Sequence, residues 1–354
     1  MVIAATVIVV LLVIGLGYAT ISGGGQGRAN SSTEVLTSQS ALIIFNADAY
    51  GAEVQTFLSG FANFTGIPVA PPHSGGSFAL ASQIASGSQD DVFVPVSLSA
   101  TAPSHLENFS SNWAIGFASD QMVIAYSNST SSYSSAGQKV ISAYQRAAKS
   151  NASSDWDSLF SSLTSGQVKV GIADPNADPA GLRGWLVLEA AGALYRAGNT
   201  SAYTDALLAS GGNVTGSAAA NMVAPLEAGQ MQFLFVYRSV AIAQHLGYFQ
   251  LDHRVNLGDP KLASSYAILT YRLATGPTTG APIILCVTVP TDSLHPSEAD
   301  QFVQYVLKNS ETVLPAFGLQ AFAPPLLYNN TAPPAFVSQM VSQALIGSGG
   351  RLGP

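Results

Sequence analysis

Short strand-like runs alternate with longer amphipathic stretches along most of this chain. The strand-like runs, of four to eight residues, lie at 41–45, 66–69, 91–94, 122–126, 168–172, 233–237, 248–251 and 282–289. Their length and β-branched content suit buried strands. Between them, hydrophobic positions three and four apart predict helices over 52–64, 79–85, 137–150, 156–163, 182–197, 202–210, 218–227, 239–245, 297–308 and 335–345. Such alternation predicts an α/β architecture with parallel sheets covered by helices. In such sheets ligands sit beyond the carboxyl ends of the strands. Two segments, 121–127 and 248–257, read as crossovers between lobes. Lobe 1 is then expected over 41–120 and 255–345, and lobe 2 over 121–254.

Residues 2–21 depart from this pattern, being apolar or small almost without interruption. Some 20 residues at about 1.5 Å rise span roughly 30 Å, the thickness of a hydrocarbon core. No Lys or Arg precedes Arg28 and the run begins at once, so residues 1–21 read as a retained hydrophobic helix, in a membrane or in a filament core. A cleaved signal is the other reading. Residues 22–40, rich in Gly and Ser, read as a flexible tether. Asn-x-Ser/Thr acceptor motifs at Asn30, Asn63, Asn108, Asn128, Asn151, Asn199, Asn213 and Asn329 suit a glycosylated cell-surface protein.

Composition sharpens the picture. Charged residues make up only 9% of 354, against about 25% in ordinary soluble domains. A surface built from neutral polar residues has few carboxylates to protonate, which points to an acidic exterior. The net charge of −7 excludes a basic nucleic-acid-binding stripe. Cys286 is the only cysteine and sits in an apolar run, so it reads as a core residue. The five histidines show no metal-ligand spacing, and no nucleophile elbow or phosphate loop is present. No cofactor and no enzymatic activity are therefore expected.

Several segments together carry a family resemblance. They are Trp-Ala-Ile-Gly-Phe-Ala-Ser-Asp-Gln-Met-Val-Ile-Ala-Tyr at 113–126, Ala-Asp-Pro-Asn-Ala-Asp-Pro-Ala-Gly-Leu-Arg at 173–183, Leu-Glu-Ala-Gly at 226–229 and Val-Tyr-Arg-Ser-Val-Ala at 236–241. Val-Asn-Leu-Gly-Asp-Pro-Lys at 255–261 and Thr-Gly-Ala-Pro-Ile at 279–283 continue it. This order resembles the archaeal molybdate/tungstate-binding proteins, the extracellular receptors of ABC importers. The resemblance implies a two-lobed, periplasmic-binding-protein-like fold of type II, an oxyanion ligand in an interlobe cleft, and a permease–ATPase partner. It also implies ligand positions. The family's first loop presents a Gly-Ser pair, where Ala49 stands in the serine's place and Asp48 adds a charge. Ser77 keeps the hydroxyl of the second loop, Asp178 keeps the carboxylate before proline, and Tyr237 keeps the tyrosine. Ala219 stands where the family has a second carboxylate, so six-coordinate metal binding is not expected.

Each residue also has a plain structural role open to it. Ser77 and Asp178 read equally as helix N-caps, Asp48 as a cap of the following helix, and Tyr237 as a packed tyrosine. Arg183 and Arg238 are anion partners or pin loops through Glu189 and Glu227. The alternative for the whole chain is a structural or adhesive surface protein that keeps the receptor fold with a decayed site.

Overall fold

The computed structural model describes residues 41–128 and 134–353. The hydrophobic helix expected over 1–21, the tether over 22–40 and Asn30 lie outside these residues. Among the described residues, no helix is long and apolar enough to cross a membrane.

Two sheet systems organise the chain. The terminal system draws on both ends of the described chain. Its strand Ile44–Ala47 lies between His73–Gly75 and Val92–Val94 in a parallel three-stranded sheet. Beside it a four-stranded sheet orders Ile284–Val287, Trp113–Ser119, Gln320–Asn329 and Gly347–Gly350. A single bridge, Phe93 to Thr288, links the two sheets. Helices Gly51–Thr65 and Pro296–Val313 cover this system, with Phe61 edge-on to Phe302 at 5.3 Å.

The central system is a five-stranded sheet, in the order Asn213–Val214, Val170–Gly171, Phe233–Tyr237, Met122–Tyr126 and Gly247–Gln250. Helix Pro179–Tyr195 packs against it and is buried along most of its length. A helix apolar on nearly every face belongs inside a fold, and this one carries the 173–183 loop on its N-terminus.

Two connections join the systems side by side. Strand Trp113–Ser119 passes to strand Met122–Tyr126 through Asp120 and Gln121 alone. The return runs through 251–258. Met122 N–H donates to Asn256 O at 2.8 Å, and Asn256 Nδ2 donates to Gln121 Oε1 at 2.7 Å. A Cβ on Gly258 would lie 2.6 Å from the Gln121 Cβ, so only glycine fits there. Leu257 holds φ at +59°, an uncommon conformation for a bulky residue.

The sheets differ from the parallel arrangement that the alternation predicts. Both connections enter antiparallel pairings: Trp113–Ser119 pairs antiparallel with two neighbours, and Met122–Tyr126 does the same. Residues 66–69 form only one bridge, from Val69 to Leu42. Strand Gln320–Asn329 has no apolar alternation to mark it. Pro324 and Pro325 sit where its register with Trp113–Ser119 slips, because proline cannot donate to a ladder. The helix expected over 218–227 is split into a tight turn at Ala220–Met222 and a short helix at Val223–Glu227.

Candidate functional site

Strand ends from both systems meet at one junction. From the terminal system, strand Ile44–Ala47 runs into the turn Asp48–Tyr50, and Gly75 and Gly76 lead into helix Ser77–Ala85. From the central system come the loop ending at Asp178, the turn at Ala219, and Tyr237 at the end of its strand. These are the carboxyl ends of strands, where α/β sheets hold ligands.

Asp178 is buried and caps helix Pro179–Tyr195, its Oδ1 accepting from Ala180 N–H at 2.8 Å. Its Oδ2 accepts from Ala219 N–H at 2.7 Å, across 41 residues. Burial pushes this carboxyl up to about 6; the neighbouring Asp48 adds to the rise, and the amides of Ala219 and Ala180 and the Arg183 charge oppose it. Asp48 is half-buried and itself raised by desolvation. Ala49 beside it packs half-buried against the core. A carboxyl whose charge raises another lies close to it.

Ser77 is fully buried, and its Oγ accepts from Val96 N–H at 3.1 Å. The preceding Gly76 touches the opposite system. A Cβ there would stand 2.5 Å from the Ala177 carbonyl oxygen and 3.5 Å from the Asp178 Cα. The Gly75-Gly76 pair therefore admits a close backbone approach across the junction. Tyr237 is also fully buried, its Oη accepting from Arg183 Nη1 at 2.6 Å. Desolvation raises its hydroxyl's pKa well above the ordinary tyrosine range.

The structure thus brings Asp48, Ala49, Ser77, Asp178 and Tyr237 to one junction, where Asp178 also caps its helix and Tyr237 is packed in the core. Ser77 and Asp48 are not caps. Gly76 and Tyr50 hold the N-cap positions of helices Ser77–Ala85 and Gly51–Thr65, and neither helix has a side-chain cap. Neither arginine pairs as the sequence suggests. Arg183 is buried and turns to Tyr237 rather than Glu189. Arg238 sits beside Gly318, away from a pairing with Glu227, and its Nε is buried with no partner among the described residues.

A second network lies beneath and escapes the sequence reading. Tyr50 stacks on Tyr237 at 5.8 Å and donates its hydroxyl to Asp120 Oδ2 at 3.0 Å. Ser239 Oγ donates to the same oxygen at 2.5 Å. Asp120 is buried on the two-residue crossover, and desolvation raises its carboxyl. One carboxyl group thus ties the first loop of the terminal system to the helix that follows Tyr237. Its signal was available: an aspartate between two largely apolar strands, in a chain with so little charge, has to be paired.

Other sequence expectations find plain places. Cys286 is fully buried in its strand. Among the described residues, no group of three His, Cys, Asp or Glu is arranged to hold a metal. Of the acceptor asparagines, Asn63, Asn108, Asn128, Asn151 and Asn199 are exposed, while Asn213 and Asn329 are half-buried in strands.

Residues 48–319 match the family of bacterial extracellular solute-binding proteins. A solute-binding protein of Saccharolobus solfataricus is 37% identical over 305 residues, covering 84% of this chain and 74% of the relative. One from Sulfurisphaera tokodaii is 33% identical over 322 residues, covering 89% and 84%. The chain belongs to the extracellular solute-binding protein family. Solved structures share the periplasmic-binding-protein-like α/β fold. The Azotobacter vinelandii periplasmic molybdate-binding protein superposes with a TM-score of 0.53 at 17% identity, covering 78% of this chain and 98% of its own. The sulfate-binding protein SubI of Mycobacterium tuberculosis also gives 0.53, at 12% identity, covering 88% and 93%. Membership of this family implies a receptor for a small molecule outside the cytoplasm.

Proposed function

We propose that the two sheet systems are the lobes of the receptor of an ABC importer, divided at 41–120 plus 255–345 and 121–254, and that they close on a small tetrahedral oxyanion. One observation carries this reading. Ser77 and Asp48 from one side, and Asp178, Arg183 and Tyr237 from the other, converge where the Gly76 backbone meets Ala177. Helix N-terminal amides, the Ser77 and Tyr237 hydroxyls and the Arg183 guanidinium supply donors of the kind an oxyanion needs. Asp178 and Asp48 oppose a full negative charge while ionised. A carboxyl raised to about 6 accepts a proton when an anion arrives, and then donates to it. Ala219 brings only a backbone amide, so the site favours hydrogen bonding over an expanded metal coordination.

Membrane attachment or filament assembly through residues 2–21, and glycans on the exposed asparagines, complete the proposed cell-surface receptor. Two solved structures with this fold carry the names of molybdate and sulfate binders, which sets the probes. A thermal-shift screen of the full-length chain in detergent, against tungstate, molybdate, sulfate and phosphate at pH 5, should show stabilisation by at least one of them.

A second reading is favoured by the way the site satisfies itself. Both Asp178 oxygens and the Ser77 oxygen already accept backbone amides. A surface protein that keeps the receptor fold with its site closed on its own carboxylate would show no shift with any anion.

A further inference from the structure

A cavity of about 560 Å³ is lined by Arg183 but by none of Asp48, Ser77, Asp178 and Tyr237. Its walls come from both sheet systems: Ser97–Ser99 and Ile284 from one, the helix residues Leu182, Arg183 and Leu186 from the other. Thr278 and Thr279, on one strand of a hairpin, line it as well. A tetrahedral oxyanion fills about the space of four waters, on the order of 100 Å³. The cavity is several times larger and lies within the roughly 300–1,000 Å³ of small-molecule sites.

Its lining has a definite chemistry. Among the described residues, Arg183 is the one charged residue on the cavity wall. Its guanidinium is buried, and among the described residues its one hydrogen-bond partner is Tyr237. The remaining N–H groups of a buried guanidinium need acceptors. Leu98, Leu182, Leu186 and Ile284 add apolar wall. One buried cation beside aliphatic side chains fits one negative charge on an apolar body. A second charge would be buried without a partner, at heavy cost. A neutral molecule would leave the guanidinium with only the Tyr237 hydroxyl and the charge of the nearby Asp178.

We propose that this cavity binds a singly charged organic acid, with its carboxylate on Arg183 and its aliphatic body against Leu98, Leu182, Leu186 and Ile284. The proposal rests on the receptor reading but concerns a cavity outside the oxyanion cluster. Arg183 is the residue shared by the two. The carboxylate matches the planar fork of arginine, which a lysine does not reproduce.

The test is calorimetric titration of the full-length chain with hexanoate, the dianion glutarate, neutral 1-hexanol and tungstate. The proposal expects saturable binding of hexanoate, at least tenfold tighter than glutarate or 1-hexanol. Thr279 lines the cavity from an exposed position, so Thr279→Trp should fill part of it and weaken hexanoate at least tenfold while leaving tungstate unchanged. Arg183→Lys should weaken hexanoate similarly. Hexanoate binding that Thr279→Trp leaves intact, or 1-hexanol binding as tightly, would overturn the proposal. Tungstate binding without hexanoate binding would overturn it alone and leave the oxyanion receptor standing. Binding of neither would remove both.

Discussion

Asp178 performs two tasks with one carboxyl group. It caps a helix, and it reaches across to the Ala219 amide. The cap was legible, since Asp-Pro before a hydrophobic run is a helix start. The Ala219 contact was not, because nothing local links residues 41 apart. Its raised pKa has a consequence for binding. An anion favours the protonated acid, so affinity should rise as pH falls through about 6. Calorimetry at pH 7.5 and pH 5 should show at least a fivefold gain for the oxyanion. In Asp178→Asn, which has no proton to take up, that gain should largely disappear. Arg183 and Tyr50 were harder to read than Asp178: an arginine in a helix and a tyrosine after a strand carry no spacing signature. Ala219→Glu places a carboxylate where the resemblance expects one. It should raise affinity for tungstate more than for sulfate, and equal effects would remove position 219 from the site.

Among the elements, most helices were legible and the sheet pairings were not. The apolar periodicity of 52–64 and 297–308 falls on helices Gly51–Thr65 and Pro296–Val313, because one face of each covers the core. Strand Trp113–Ser119, buried on every residue, was seen through its resemblance but not as a strand. Gly347–Gly350 has no side-chain pattern at all. Which strands pair across 200 residues depends on packing that no local window contains. The close approach at Gly76 yields a prediction at this scale. Its φ of −61° is open to any residue, so a side chain there would cost contact with Ala177 and not backbone strain. Gly76→Val should leave the separate lobes folded and hinder their closure, by about 1–3 kcal/mol of overpacking. Thermal unfolding without ligand should change little, while the oxyanion affinity should fall about tenfold or more.

The whole molecule buries carboxyl groups in several places. Desolvation raises Glu53 and Glu189 to about 7 and Asp90 to about 8, the last with help from Asp292 and Asp91. Among the described residues, Glu53 and Asp90 have no hydrogen-bond partner for either oxygen. A carboxyl group raised in the folded state binds its proton more tightly there than in the unfolded chain. Its stabilisation is full below the ordinary pKa near 4 and is lost as pH rises through the folded value. Asp91 and Asp252 work the other way. Despite burial, hydrogen bonds from Ile43, His295 and Arg254 hold them low, and that contribution is lost only below about pH 4. Stability should therefore increase from pH 8 down to about pH 4.5, by on the order of 5 °C in Tm. Glu53→Gln should raise Tm at pH 8 and flatten the slope. Stability that instead fell steadily over that interval would contradict this account of the buried acids. The sparse surface charge had already pointed to an acidic exterior, but the buried carboxyl groups behind this slope were not visible without the fold.

Closure on an anion is the central claim, and a distance across the junction tests it most directly. Asn63 and Asn199 are exposed, one on each sheet system, and Cys286 is buried from labelling reagents. Spin labels on Asn63→Cys and Asn199→Cys report the separation of the lobes by pulsed electron resonance. The account predicts a broad distance distribution without anion that narrows to a single population when tungstate or its best-binding congener is added at pH 5. A distribution unchanged by all four oxyanions would contradict it.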